Sequence, residues 1–505
     1  MTLRRLPEGE ALRHENDRLR RDNERLQRKL AEVDQQLTEQ QQRLADQQQE
    51  ILERKREIAD LERQLALRKQ NSTNSSKPPS SDGLAGDSRP RGRKSCKSRR
   101  KPGGQPGHRG HRRAIVPAEQ VDEIKTVLPA HCHHCQGELA QPPERVQTTG
   151  AVRCHQVVEL PVIKAHVTEY QFPAVVCPQC GKNTRAAVPP EIQRQTGPQL
   201  TALAAYLTVV CRMPRRVLKD LTEQALGIPM SVGNTQACWE EVSAAVAAPY
   251  QELERQLSQE PVLNVDETGW RTNGQKRFLW AFVAARFVVY TIAKTRGSEL
   301  LIQMLGAVFA GILCSDRFSG YLKYHQGRAQ YCWAHLKRNI LGVLEFTKQT
   351  ATERFCRDAL ALPARLFRLW HKFKSGQINR RQLLGRSVAL QKKFFALADA
   401  NLDRSDRQVQ NLALVLFVEA ERLFTFLERD GVEPTNNSAE RALRTGVQWR
   451  KISFGNRSAA GELATARLLS VTQTCRLRQR NSLQYLSEAV SNYRSGQPVV
   501  SLLSR

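Results

Sequence analysis

From Leu12 to Leu65 the chain repeats in heptads. Asn16, Asn23, Leu30, Leu37, Leu44, Ile51, Ile58 and Leu65 hold one seam position, and Leu12, Leu19, Leu26, Val33 and Leu61 hold the other, with no proline or glycine between them. This period predicts a helix that supercoils with a partner. Asn16 and Asn23 favour a parallel two-stranded pairing, because each amide can meet its twin across the seam, while Gln40, Gln47 and Arg54 weaken its middle. Farther on, VRCHQVVELPVIKAHVTEYQF alternates apolar and polar residues as a strand does. Residues 198 to 260 read as helices, and Arg215 to Leu226, a Gly227-Ile-Pro turn and a helix from near Ser231 have helix-turn-helix spacing. After Pro261 the period changes again. PVLNVDETGW, KRFLWAFVAA and FVVYTIAK are short apolar runs between turn residues, followed by a helix near 298 to 309. GILCSDRF reads as a fourth strand, and AQYCWAHLKRNI as a fifth running into a helix. That order matches a ribonuclease-H-like α/β core, in which the first and fourth strands are neighbours.

Composition changes the picture by naming a partner. Among 505 residues, 78 Lys and Arg face 50 Asp and Glu, a net charge of +28. Such an excess predicts a polyanionic partner, nucleic acid first. NSTNSSKPPSSDG and the segment from Ser88 to Arg113, dense in Lys and Arg and without an acid, cannot bury a core and predict a flexible cationic linker that touches phosphates. The start MTLRRLPEGE lacks the apolar core of a signal peptide. The run from Leu300 to Cys314, interrupted by Gln303, falls short of the ~18 residues a membrane span needs. The sequence is therefore read as cytoplasmic, associated with the nucleoid through DNA, and not membrane-bound.

Two kinds of metal chemistry stand out. Cys132-His-His-Cys135 and Cys177-Pro-Gln-Cys180-Gly181 are CxxC knuckles whose four thiolates predict a structural Zn²⁺ site; His133, His134, Cys154 and His155 are alternative ligands. The other eight cysteines read as small apolar residues. Asp266 at the end of the first strand and Asp316 at the end of the fourth would face one another. Glu440, in PTNNSAERALR, follows Asn and Ser of N-cap type and begins a helix. Three carboxylates make a hard-oxygen site suited to Mg²⁺ or Mn²⁺, in which two ions ~3.5 to 4 Å apart activate the attacking oxygen and stabilise the leaving one. Glu267 should point to the opposite face. His335, Lys337 and Arg338, and Arg441, Arg444, Arg450 and Lys451, are candidate DNA contacts, whereas Trp449 reads as packing.

The words NSSKPPSSD, RKPGGQPGHRGH, CHHC with CPQCGK, VDETGW, SDRFSGY, CWAHLKRN, and TNNSAERALR with WRKISFG run in this order from residue 74 to 455. They resemble the insertion-sequence-66 transposase family of bacterial mobile elements. The resemblance implies a DDE transposase that cuts element ends and joins them to target DNA, with Asp266, Asp316 and Glu440 as its triad. It also implies an α-helical insertion at about 345–430 and companion proteins from the same element. The expected fold is multidomain α/β: a coiled coil (1–70), a basic linker (71–117), a small β-rich zinc module (118–192), a helical region with a candidate helix-turn-helix (193–260), a ribonuclease-H-like catalytic domain (261–460) and a helical tail (461–505). Double-stranded DNA and a second copy of the chain, paired through the coil, are the expected partners. A non-catalytic DNA-binding regulator and a nuclease of the same fold are the alternatives.

Overall fold

The computed structural model describes residues 8–69, 114–139, 152–325 and 327–504; the predicted cationic segment lies outside them. The heptad stretch forms one helix, α1 (Glu8–Lys69), of 62 residues. Its seam side chains from Leu19 to Leu61 are between 51% and 64% exposed, so this chain alone does not cover them.

The expected β-rich module holds two short strands, β1 (Val175–Val176) and β2 (Asn183–Thr184), paired antiparallel. The alternating stretch from 152 to 172 forms no helix and joins no ladder, and Val157, Leu160, Val162 and Val167 are 73% to 86% exposed. The expectation of a β-rich fold therefore fails among the described residues. Alternation makes a strand only where a neighbour supplies the other half of the ladder, and Pro161 removes one donor from it.

Four helices follow: α2 (Pro198–Val209), α3 (Arg215–Leu226), α4 (Val232–Ala245) and α5 (Ala247–Gln256). Gly227, left-handed at φ 65°, ends α3, and the Ser231 hydroxyl accepts the Asn234 amide at 3.0 Å to start α4. The helix-turn-helix boundaries are thus as expected. However, α4 buries Cys238, Trp239 and Val242 among its neighbours, so this second helix is a core element.

The sheet begins with β3 (Val262–Thr272) and β4 (Gln275–Val283), joined by Asn273-Gly274, whose φ values of 48° and 75° fit the Asn-Gly two-residue hairpin turn. Then come β5 (Val288–Ala293), α6 (Ser298–Leu305), β6 (Ile312–Ser315), α7 (Ser319–Tyr324) and β7 (Ala329–Tyr331). The spatial order is β5-β4-β3-β6-β7, with β4 antiparallel to both its neighbours and β6 and β7 parallel to β3. The first and fourth strands of the sheet are neighbours, as the sequence predicts.

From β7 the chain enters α8 (Trp333–Phe346) and then a helical block of α9 (Thr350–Lys374), α10 (Arg380–Asp399), α11 (Arg407–Val418) and α12 (Ala420–Glu428). This block, where the helical insertion is expected, has its own core around Trp333, whose ring meets Phe394 and Phe424 with centroids 5.4 and 5.6 Å away. The chain returns through α13 (Asn437–Ser453) and ends with α14 (Ala459–Leu477) and α15 (Ser482–Arg494). These last two helices are not a tail. The hydroxyls of Ser470 and Thr474 accept the amides of Tyr290 and Val288, satisfying the free edge of β5, and Leu468, Leu469 and Val471 join the main core. The unit around the sheet therefore extends past residue 460.

Candidate functional site

Asp266 and Asp316 meet because of register. In the parallel ladder Val262 faces Ile312 and Asn264 faces Cys314, the last pair, and each aspartate lies two residues farther along its own chain. Asp266 is expected to end β3 but sits midway along it, two residues past the last parallel pair with β6. Asp316 lies one residue beyond β6, and its carboxylate accepts the Phe318 amide at 2.9 Å.

The third acid arrives on α13, which packs across the same face. Asn436 precedes this helix; its side chain donates to the Val265 carbonyl on β3 at 2.8 Å, and its amide donates to Cys332 Sγ at 3.2 Å. Trp333 N donates to the Pro434 carbonyl at 3.0 Å. One loop thus fastens the strand of Asp266, the start of α8 and the start of α13. Farther along, Gly446 sits against Leu279 so closely that a Cβ would overlap it, and the loop after α13 is bonded to the hairpin through Asn456, whose amide donates to the Arg271 carbonyl at 2.9 Å.

All three acids are partly exposed, so solvent reaches them. Burial pushes the Asp266 carboxyl well above the usual carboxylate range, and the negative charges of Glu267, Asp316 and Glu440 push it further, against the Glu267 amide that holds its ionised form. No cationic side chain pairs with Asp266 or Asp316 among the described residues. Glu440 does have partners: Arg338 donates to it at 3.0 Å and His335 Nδ1 lies 3.6 Å from the same oxygen. Glu267 points the other way, as alternation predicts, and is held by Arg296 and the Tyr321 hydroxyl.

The candidate DNA contacts divide. Lys337, Arg441, Arg444 and Lys451 are exposed, the last three along one face of α13. His335 and Arg338 are turned inward to Glu440, and Arg450 donates to the Gly269 carbonyl, which ties it to β3. Trp449 is buried, as expected. Arg317 is an addition to the expected set. Burial lowers its pKa beside Asp316, and one of its nitrogens lies 3.0 Å from the Asn339 side chain, oriented to accept. Its signal is present in the word SDRFSGY, but as a neighbour of an acid it reads as a partner for that acid.

Each CxxC pair forms a knuckle. Cys132 N donates to the Gly137 carbonyl and Cys177 N to the Lys182 carbonyl, both at 2.9 Å, and Gln136 and Gly181 follow at positive φ of 58° and 68°. Backbone amides within each knuckle, with the second thiol of the pair, lower the pKa of Cys132 and of Cys177. The structure does not gather all four thiols. Among the described residues, the only group of three or more metal-ligating atoms close enough to share an ion is Cys332, His335 and Glu440. No helix among the described residues is long and apolar enough to cross a membrane.

Residues 193–463 match the family described as Transposase IS66 family, and residues 2–114 match a family of unknown function, DUF6444. Two proteins of Sinorhizobium fredii (strain NBRC 101917 / NGR234) are similar. The uncharacterized protein y4qI is 26% identical over 44% of this chain and 45% of its own length, and the uncharacterized protein y4jO is 26% identical over 35% of this chain and 56% of its own. The chain spans about half the length of these curated relatives.

Proposed function

This chain belongs to the IS66 transposase family, and on that premise we propose that it is a DDE-type DNA transposase that cleaves element ends and transfers the strands into target DNA. One observation carries this reading: Asp266 and Asp316 each lie two residues past the last pair of adjacent parallel strands, and α13, with Glu440 in its first turn, packs on the same sheet. The sheet order supports a ribonuclease-H-like core. The donor set fits divalent cations of the Mg²⁺ type, since an acid repelled by three others and paired with no base lacks the positive charge that would let it ionise. Two such ions would supply activation of the attacking water or 3′ hydroxyl and stabilisation of the leaving oxygen.

The protein's own groups do the positioning. Asp266 and Asp316 offer oxygens from a rigid ladder, and Asn436 fixes the start of the helix that carries Glu440. Arg338 orients the Glu440 carboxylate. Arg317, whose charge interacts with Asp316, would suit a phosphate held at that acid. Arg441, Arg444 and Lys451 suit the DNA backbone beside it. The CxxC knuckles are read as a structural Zn²⁺ module, α1 as the contact between two copies, and the protein as a cytoplasmic, nucleoid-associated one. Companion proteins of the same element remain part of the proposal.

The test is strand joining with labelled element ends and Mg²⁺. Asp316→Ala should abolish both cutting and joining while DNA is still retained in a binding assay. Unchanged joining would overturn the enzymatic reading in favour of a DNA-binding regulator, and cutting without joining by the parent chain would mark a nuclease.

A further inference from the structure

We propose that Cys332, His335 and Glu440 form a second metal site, distinct in chemistry from the carboxylate site, that takes Zn²⁺. Cys332, directly after β7, is the N-cap of α8 and His335 lies in the first turn of that helix, so the i, i+3 step turns both toward one side. The loop fastened by Asn436 brings the first turn of α13 against them. Sulfur, ring nitrogen and carboxylate oxygen then all lie within 4.8 Å of one another.

Three features make this more than proximity. His335 Nδ1 is buried and has no hydrogen-bond partner, an orphan that an ion would satisfy. The Asn436 amide donates to the Cys332 sulfur at 3.2 Å, the kind of bond that supports a metal-bound thiolate from behind. The donor set of one sulfur, one nitrogen and one oxygen suits Zn²⁺ and is wrong for Mg²⁺, and three protein ligands leave a fourth position open. A tetrahedral Zn²⁺ holds its ligand atoms about 3.5 Å apart, close to the 3.6 Å already between His335 Nδ1 and the Glu440 oxygen, so binding would draw the group together from within its 4.8 Å span. Arg338 shares the Glu440 carboxylate, which has lone pairs for both. Binding replaces the thiol proton, which passes to solvent, by the Cys332 sulfur–zinc bond; no electron is transferred.

Glu440 is common to this group and to the acidic triad, so an ion held by Cys332 and His335 withdraws it from Asp266 and Asp316. That consequence rests on the function proposed above, whereas the binding does not. Zn²⁺ should then inhibit Mg²⁺-dependent joining at concentrations that fill this site.

Co²⁺ serves as the coloured probe, with the full chain carrying Cys132→Ser, Cys135→Ser, Cys177→Ser and Cys180→Ser so that the knuckles contribute no thiolate. One equivalent of Co²⁺ should give a near-ultraviolet thiolate-to-metal band. Cys332→Ala should abolish it, His335→Ala should weaken the affinity by about tenfold or more, and melting curves without metal should show both variants folded. Absence of the band, or its survival in Cys332→Ala, overturns the proposal. Should the four-serine chain not fold, the same variant in the parent chain must lower the number of thiolate-bound Co²⁺ ions by one, and an unchanged number overturns it. Neither outcome depends on strand transfer, so a failure of the transposase reading is seen separately in the joining assay.

Discussion

Asp266 is raised well above its usual value of 3.8 by burial and by the acids around it. The fold therefore favours its protonated form, and the stability tied to this group is full below the unfolded value and lost as pH rises through the folded one. In Mg²⁺-free buffer Asp266→Asn should melt above the parent chain at about pH 8 and together with it at about pH 4. Adding Mg²⁺ should close the gap by stabilising only the parent. Equal melting at both pH values would show that the acid cluster is not strained. The carboxylate on the opposite face behaves differently, because Glu267, with a side chain only 1% exposed, is paired with Arg296. Arg296→Met should cost about 3 kcal/mol, at the low end for breaking a buried pair because Arg296 is itself 41% exposed. Glu267→Gln in the same chain should recover part of that loss in denaturant unfolding. Glu267 was legible as facing away from Asp266, since alternation alone decides it. Cys332 was not: beside Trp333 in an apolar stretch it reads as packing, and only the returning loop at Asn436 brings Glu440 to it.

Among the elements, those with a strict period or a turn signal could be read directly. The three runs after Pro261 became β3, β4 and β5 because short apolar segments between turn residues have few alternatives, and Asn273-Gly274 specifies the tight hairpin. The terminal α14 reads as a tail because its small and hydroxyl-bearing residues show no apolar stripe; Ser470 and Thr474 find their role only once β5 presents an edge to them. Helix α13 is the element on which the site depends. Gly446→Ala should drive it off Leu279, at a cost of about 1–3 kcal/mol, and lower joining more than DNA retention, since Glu440 moves with the helix while the exposed cations remain. Those cations make a separate prediction. Replacing Arg441, Arg444 and Lys451 together by alanine should reduce the slope of log affinity against log salt by roughly 2 to 3, at about 0.9 for each phosphate no longer neutralised. An unchanged slope would assign the three to solvent.

At the scale of the whole molecule, the proposed chemistry on two element ends would require two active sites held together. Helix α1 would offer the contact. At about 1.5 Å per residue its 62 residues span about 90 Å, and its seam of Leu30, Leu37, Leu44 and Ile51 is more than half exposed along that length. An apolar stripe of this period costs free energy in water unless a second helix covers it. A net charge of +28 opposes self-association elsewhere on the surface, so pairing should be confined to the coil and should not weaken as salt screens that repulsion. Light scattering of the full chain should therefore give the mass of two copies at both low and high salt. Leu30→Lys with Leu37→Lys and Leu44→Lys should give one copy with the far-ultraviolet signal of the sheet unit intact. That variant should still bind DNA but lose concerted joining of two ends; a parent chain that scatters as a single copy would remove the coil from the mechanism and leave DNA itself to bring two chains together.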